Sequence, residues 1–293
     1  MMDPRRRQAL LGLGLMAIIA GLPARAQDEP QRIVVAGGDL TEIVFALGAG
    51  DRVIGVDQTS NYPAGAAERE QIGYVRRLSP EGVLSLSPDL LLAAHDAGPD
   101  VAMEQLAAAG VRIARAPETE TAADIAKKIT FVGEAIGRQE EAAALAEAFT
   151  ADLQAVGDKV AALSDSPRVL FILSIRGGSP LVGGTGTTAH EMITLAGATN
   201  VGAGVEGYKP MSREAILATA PDVILMMEQH AERMGGKEEI LALPEIALTP
   251  AGQAGRAVTM EGMLLLGFGP RTPAAVAELA RALHPESAAT SGL

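Results

Sequence analysis

The chain is predicted to be α/β: two Rossmann-like lobes joined by a long interlobe α-helix, with a ligand cleft between the lobes. Three observations predict this. Short apolar runs alternate with helical patterns in the first third of the chain. Thr121–Leu163 contains no Pro and has helical spacing throughout. An internal repeat then places the same helix–strand unit in each half.

The elements follow in order. Arg32–Ala36 is a short apolar run closed by Gly37-Gly38, the pattern of a buried strand. Asp39 is positioned to cap the next helix, Leu40–Leu47, which stops at Gly48. Val53–Val56, Leu90–Ala94 and Val111–Ala114 read as further strands, with helices at Pro80–Leu86 and Asp100–Ala109. Such alternation implies a mainly parallel sheet covered on both faces. In the middle stretch, Ile125, Ile129, Val132 and Ile136 keep 3–4 spacing. Leu145, Phe149, Leu153, Val156 and Val160 continue it after a break near Gly137. Beyond it, Val169–Leu173 and Val223–Met227 are strands, Thr188–Ala196 is a helix ended by Gly197, and Ala274–Leu283 is a closing helix. The expected organisation is an N-terminal lobe at 27–118, an interlobe helix at 119–164 and a C-terminal lobe at 165–293.

The repeat is the most informative feature. Ser79–Leu92 reads SPEGVLSLSPDLLL and Ser212–Leu225 reads SREAILATAPDVIL, 133 residues apart. Each has Ser, then Glu two residues on, a short apolar helix, Pro-Asp, and an apolar strand. The match is either shared supersecondary grammar or the mark of two related lobes. Two such lobes make a cleft, a common place for a ligand.

Residues 1–26 are expected to be an export signal. Arg5, Arg6 and Arg7 form a positive head, and an uncharged run of 14 residues follows from Ala9 to Leu22. Ala24-Arg25-Ala26 supplies the small-x-small pattern before Gln27. The run is short for a membrane span, which needs about 20 apolar residues. Both general and twin-arginine export are compatible with it. The absence of cysteine excludes a lipid-anchored Cys, thiolate metal sites and disulfide staples. Removal of 1–26 takes away four Arg and Asp3, leaving 20 basic and 35 acidic residues and a net charge of −15. So acidic a chain is a poor match for nucleic acid, and an aromatic content of 3% leaves few stacking platforms.

Four segments carry a family resemblance: AGGDLTEIVFALGAGDRVIGVD, IGYVRRLSPEGVLSLSPDLLLA, EGYKPMSREAILATAPDVILM and LLLGFGPRT. They resemble the substrate-binding proteins of bacterial ABC importers, in the class with a rigid interlobe helix (class III) that serves siderophores, cobalamin and haem. The run Gly-Tyr-x-Arg-x-Leu-x-x-Glu-Gly at Gly73–Gly82 points more narrowly to the periplasmic haem-binding proteins. The resemblance implies a monomeric periplasmic carrier with no catalysis. Its cargo would be ferric haem b, and its partner an inner-membrane permease dimer with an ATPase.

The resemblance also implies site residues. Tyr74 would ligate the iron and Arg76 would hydrogen-bond the phenolate. The chemistry agrees, because ferric iron is a hard acid and Tyr is an axial haem ligand. A free phenol has a pKa near 10, so it ligates as phenolate only with help from the iron and an adjacent cation. Taken alone, Tyr74 reads as a loop residue with its ring packed and its hydroxyl in water, and the surrounding run turns the reading to a ligand. Arg77 is a propionate contact or a solvated charge. Some relatives add a His from the loop after the first strand of the second lobe. Here that loop reads LSIRGGSPLVGG and has no His, so Arg176 is either a propionate contact or a surface Arg. The Gly-rich Gly177–Gly186 stretch lacks the Gly-Lys-Ser/Thr end of a phosphate loop. Tyr208 precedes the second repeat helix much as Tyr74 precedes the first, as a pocket wall or a second ligand. Glu81 and Glu214 would dock on basic patches of the permease, though both are also acids favoured at a helix start.

The four His, at 95, 190, 230 and 284, lack the spacing of a preformed zinc site. The alternatives are a ferric-siderophore or cobalamin binder of the same class, or a secreted metal-dependent hydrolase.

Overall fold

The computed structural model describes residues 29–287, apart from 177–178 and the side chain of Arg176. The expected signal and its cleavage point near Ala26 lie outside the described residues.

The first lobe is built on a five-stranded parallel sheet. Its order across the sheet is Glu70–Gln71, Val53–Val56, Ile33–Ala36, Leu90–Ala93 and Ile113–Arg115. Ile33–Ala36 is central and fully buried, in register with Leu90–Ala93. The chain winds outward on one side of this strand and then on the other. The crevice at the carboxyl ends of Ile33–Ala36 and Leu90–Ala93 is therefore a topological switch point, where open α/β sheets bind ligands. The second lobe centres on Arg168–Arg176, flanked in parallel by Val223–Met227 and then Ala257–Met260. On its other side run the antiparallel Ser179–Gly183 and Tyr208–Pro210. The stretch Gly177–Gly186 read as a Gly-rich loop thus contains a strand, Ser179–Gly183, bonded back onto Arg168–Arg176.

The repeat is structural in detail. Ser79 and Ser212 each cap a helix, accepting the N–H of Gly82 and Ala215 at 3.2 Å. The two Asp of the Pro-Asp steps also act alike. Asp89 Oδ2 accepts the N–H of Arg32 at 3.0 Å, and Asp222 Oδ2 that of Arg168 at 2.9 Å. Arg32 and Arg168 then reach across to carbonyls at the end of the repeat helix, Leu86 and Ser87 in one lobe and Thr219 in the other. Each lobe closes its first strand onto the repeat strand by the same polar latch.

Between the sheets lie two helices, Asp124–Ile136 and Gln139–Val160, broken where expected: Gly137 sits at φ +75°, a left-handed conformation cheap only for glycine. The first packs on the first-lobe helix Gly38–Ala46, and the second reaches the second-lobe helix Thr272–Leu283. One apolar core runs without interruption from Ile33 and Leu40 through Ile129 and Phe149 to Phe171 and Leu279. Packed side chains transmit strain rather than absorb it, so this core resists hinge motion between the lobes.

Asp39 is a correction. It stands inside the first turn of helix Gly38–Ala46, whose N-cap is Gly37 with no side-chain cap. Its carboxylate pairs instead with Lys128 at 2.5 Å, on a helix 89 positions away. No helix among the described residues is long and apolar enough to cross a membrane.

Candidate functional site

The lobes face each other across a cleft of about 1110 Å³. Its first-lobe wall is made at strand ends: Gly37 and Gly38 after one central strand, Ala94, His95 and Asp96 after the other. Gly38 has no room for a side chain, since a Cβ there would meet the Thr59 carbonyl oxygen at 2.5 Å. Leu173, Met227, Gln229, His230 and Glu261 approach from the second lobe.

Tyr74 and Arg76 are presented by a small antiparallel hairpin in which Tyr74 pairs with Arg77. The hairpin is pinned from below. Its turn residue Val75 is buried, and the Val75 N–H donates to Asp57 Oδ2 at 3.2 Å. Gln58 N–H donates to the Gly73 carbonyl at 2.8 Å, and Gly98 N–H to that of Val75 at 3.0 Å. Asp57 is fully buried and also accepts from Gly37 N–H, Thr59 and Ser60, so one carboxylate ties the helix entrance to the hairpin. Burial pushes the Asp57 carboxyl above its usual value, against the pull of these hydrogen bonds.

At the hairpin tip the Arg76 guanidinium donates through Nη1 to the Tyr74 hydroxyl. Its other terminal nitrogen pairs with Asp96 Oδ2 at 2.5 Å. Burial works against the Arg76 charge, but Asp96 and Tyr74 outweigh it and raise its pKa further. The result is a carboxylate–guanidinium–phenol chain that aims a fixed positive charge at the phenol oxygen. Asp96 was not among the residues picked out from sequence. Its place at the end of the strand beside the switch point is the signal that identifies it.

Tyr208 lies on the opposite wall, its ring 6.4 Å from that of Phe171 at a tilt of 59°. Burial raises its phenol pKa, opposed by a hydrogen bond from Thr188 and by the charge of Arg76. Tyr74, Arg76 and Tyr208 therefore share one cleft. Glu81 and Glu214 stand outside it, exposed in the first turns of the two repeat helices. Arg77 is exposed and does not line the cleft. The side chain of Arg176 lies outside the described residues.

Two further cations line the cleft. Lys128 is buried and neutralised by Asp39. Arg233 is exposed and, among the described residues, has no carboxylate within ion-pair distance. Lys128 was detectable as a charge set against the apolar stripe of Ile125, Ile129 and Val132. Glu261 caps helix Gly262–Leu266 through the N–H groups of Met263 and Leu264. Those bonds overcome its burial and hold its carboxyl below the usual range.

His190 and His284 are structural. His190 bonds the Asn200 amide, and His284 is buried between Asp165 and the Ala196 carbonyl. Among the described residues no cluster of three His, Asp or Glu is placed to hold a metal ion.

Two α/β lobes that turn the carboxyl ends of their parallel strands toward one cleft, over a continuous core, define a ligand-binding protein. The chain belongs to the periplasmic binding protein family, whose model matches residues 33–263. It is 37% identical to the periplasmic heme-binding protein RhuT from Roseiflexus sp. RS-1 in apo form, with a TM-score of 0.84 covering 89% of this chain and 99% of that one. It is 42% identical to the periplasmic heme-binding protein BhuT in complex with two hemes, with a TM-score of 0.83 covering 88% and 98%. It is also 30% identical over 269 residues to YvrC of Bacillus subtilis (strain 168), an uncharacterized ABC transporter substrate-binding lipoprotein, covering 89% of this chain and 82% of the relative.

Proposed function

We propose that this protein captures haem b with its iron in the ferric state and delivers it to the inner-membrane permease dimer of an ABC importer and its ATPase. It is a carrier without a catalytic step, working as a monomer in the periplasm after loss of residues 1–26. The observation that carries this reading is the Asp96–Arg76–Tyr74 chain at the cleft wall. A phenol held by a guanidinium is a phenolate donor in waiting, and a hard oxygen anion suits ferric iron. The likeness to the periplasmic heme-binding proteins RhuT and BhuT supports the same cargo.

Charge favours haem over a carboxylate-rich ferric siderophore. A ferric siderophore rich in carboxylates calls for several unneutralised cations. Among the described residues lining the cleft, Arg76 and Lys128 are already matched by Asp96 and Asp39, leaving Arg233 for a propionate. Glu81 and Glu214, repeated at equivalent helix starts, supply one docking acid per lobe to a two-fold permease.

The test is a haemin titration of the processed protein followed by visible absorption, beside Tyr74→Ala. The expected result is a saturable Soret change with a ferric–phenolate charge-transfer band that Tyr74→Ala abolishes. A wild-type protein that shows no saturable change refutes the haem reading and directs the search to siderophores and cobalamin.

A further inference from the structure

We infer that His230 supplies an imidazole ligand to the iron of the cargo from the second-lobe wall of the cleft. This rests on the haem reading above. His230 lies on helix Glu228–Arg233, directly after strand Val223–Met227, and its ring lines the cleft that Tyr74 lines from the first lobe.

The argument turns on one hydrogen bond. His230 Nδ1 is 2.5 Å from the carbonyl oxygen of Leu173. A carbonyl oxygen only accepts, so Nδ1 carries the proton. The lone pair of the neutral ring is then on Nε2, which has no hydrogen-bond partner among the described residues. Imidazoles that hold metals are arranged in this way. The far nitrogen donates to a carbonyl or carboxylate, which fixes the tautomer, orients the ring and raises the basicity of the ligating nitrogen.

The backbone is shaped to provide that acceptor. Leu173 falls at the register shift between Ile172 and Ser174, where strand Arg168–Arg176 slips against Ser179–Gly183. A bulge leaves one residue outside the ladder and re-aims its groups, a device common beside functional sites. At this bulge the Leu173 carbonyl accepts the hydrogen bond of the imidazole Nδ1–H. The other three histidines differ. His190 and His284 are committed to Asn200, Asp165 and Ala196 away from the cleft, and His95 Nε2 faces Glu118 at 3.8 Å.

The experiment compares the haemin complexes of wild type, His230→Ala and His230→Gln by visible absorption and electron paramagnetic resonance. The Gln variant keeps an amide donor for Leu173 should the Ala variant fold poorly. The wild type is expected to show a six-coordinate ferric spectrum. Both variants are expected to shift to a five-coordinate high-spin spectrum with the phenolate band retained, and added imidazole should restore the six-coordinate form in His230→Ala. In the ligand-free protein, nitrogen-15 NMR of the histidines should find the proton of His230 on Nδ1. Variant spectra identical to wild type, with the Tyr74→Ala spectrum changed, overturn this inference and leave the haem reading standing. A proton on Nε2 also overturns it. Failure of the wild type to bind haemin overturns both.

Discussion

Glu42 and Arg271, 229 positions apart, form a two-pronged ion pair between the lobes. Arg271 Nε donates to Glu42 Oε2 at 2.9 Å and its Nη2 to the other carboxylate oxygen. Glu42 belongs to the first-lobe helix and Arg271 opens the closing helix of the second lobe. The Glu42 side chain is 5% exposed and that of Arg271 26%. The guanidinium also stacks on Tyr62, 3.7 Å from the ring centroid.

Removing Arg271 leaves a buried carboxylate, and removing Glu42 a partly buried guanidinium, without its match. The expected loss is about 3 kcal/mol, the lower end of the range for buried pairs because Arg271 is partly wet. Urea unfolding of Glu42→Ala, Arg271→Ala and the double variant should give a coupling energy above about 1 kcal/mol. Single losses that simply add would mean that the pair does not tie the lobes.

Asp96 is expected to act through Arg76. Asp96→Asn keeps the shape of the side chain but loosens the guanidinium that polarises Tyr74. Outer partners of metal ligands are commonly worth about 10–100-fold in affinity, and haemin binding should weaken by that order. The phenolate band should move with it. An Asp96→Asn protein with wild-type affinity and an unshifted band would show that Arg76 holds its place unaided.

Asp57 gives a pH-dependent prediction. Burial raises its folded-state pKa above the ordinary 3.8, despite the hydrogen bonds it accepts. A raised acid contributes stability that is complete below the unfolded value and is lost as pH rises through the folded one. The stability advantage of wild type over Asp57→Asn should therefore be largest near about pH 4 and shrink toward about pH 7. Urea midpoints at the two pH values decide it, and an advantage that grows with pH contradicts the assignment. Because Asp57 also holds Val75, Asp57→Asn should weaken haemin binding at both pH values.

These contacts explain which parts of the site could be read in advance. Tyr74 and Arg76 sit two residues apart in a run that is informative by itself, and the Ser caps of the repeat are local signals. The central strands were legible because each is a continuous apolar run. Asp96, Asp57 and Arg271 act through partners 20, 18 and 229 positions away, and no local pattern encodes those pairings. Asp39 shows the same limit from the other side. Its position suits a cap, yet a lysine 89 residues on takes its carboxylate. The short hairpin strands at Gly73–Tyr74 and Arg77–Leu78 escaped notice because two-residue strands have no periodicity to detect.

Glu81 and Glu214 separate a docking role from a purely helical one. Both are exposed first-turn acids, and the serine two residues before each already caps its helix. Glu214 is held below the usual carboxylate range by its own backbone N–H and by Ser212, so it stays charged at neutral pH. If their work is only to favour the helix dipole, Glu81→Lys and Glu214→Lys each lower stability slightly and leave delivery intact. If they dock on basic patches, placing like charges in contact opposes docking, and delivery fails while haemin affinity is unchanged. Haem transfer and ATPase stimulation in a reconstituted importer, set beside haemin titration of the same variants, measure the two effects separately. The expected outcome is wild-type haemin binding, a partial loss of transfer in each single variant and a near-complete loss in the double. The effect should lessen with added salt, because exposed charges are screened beyond about 8 Å at physiological ionic strength.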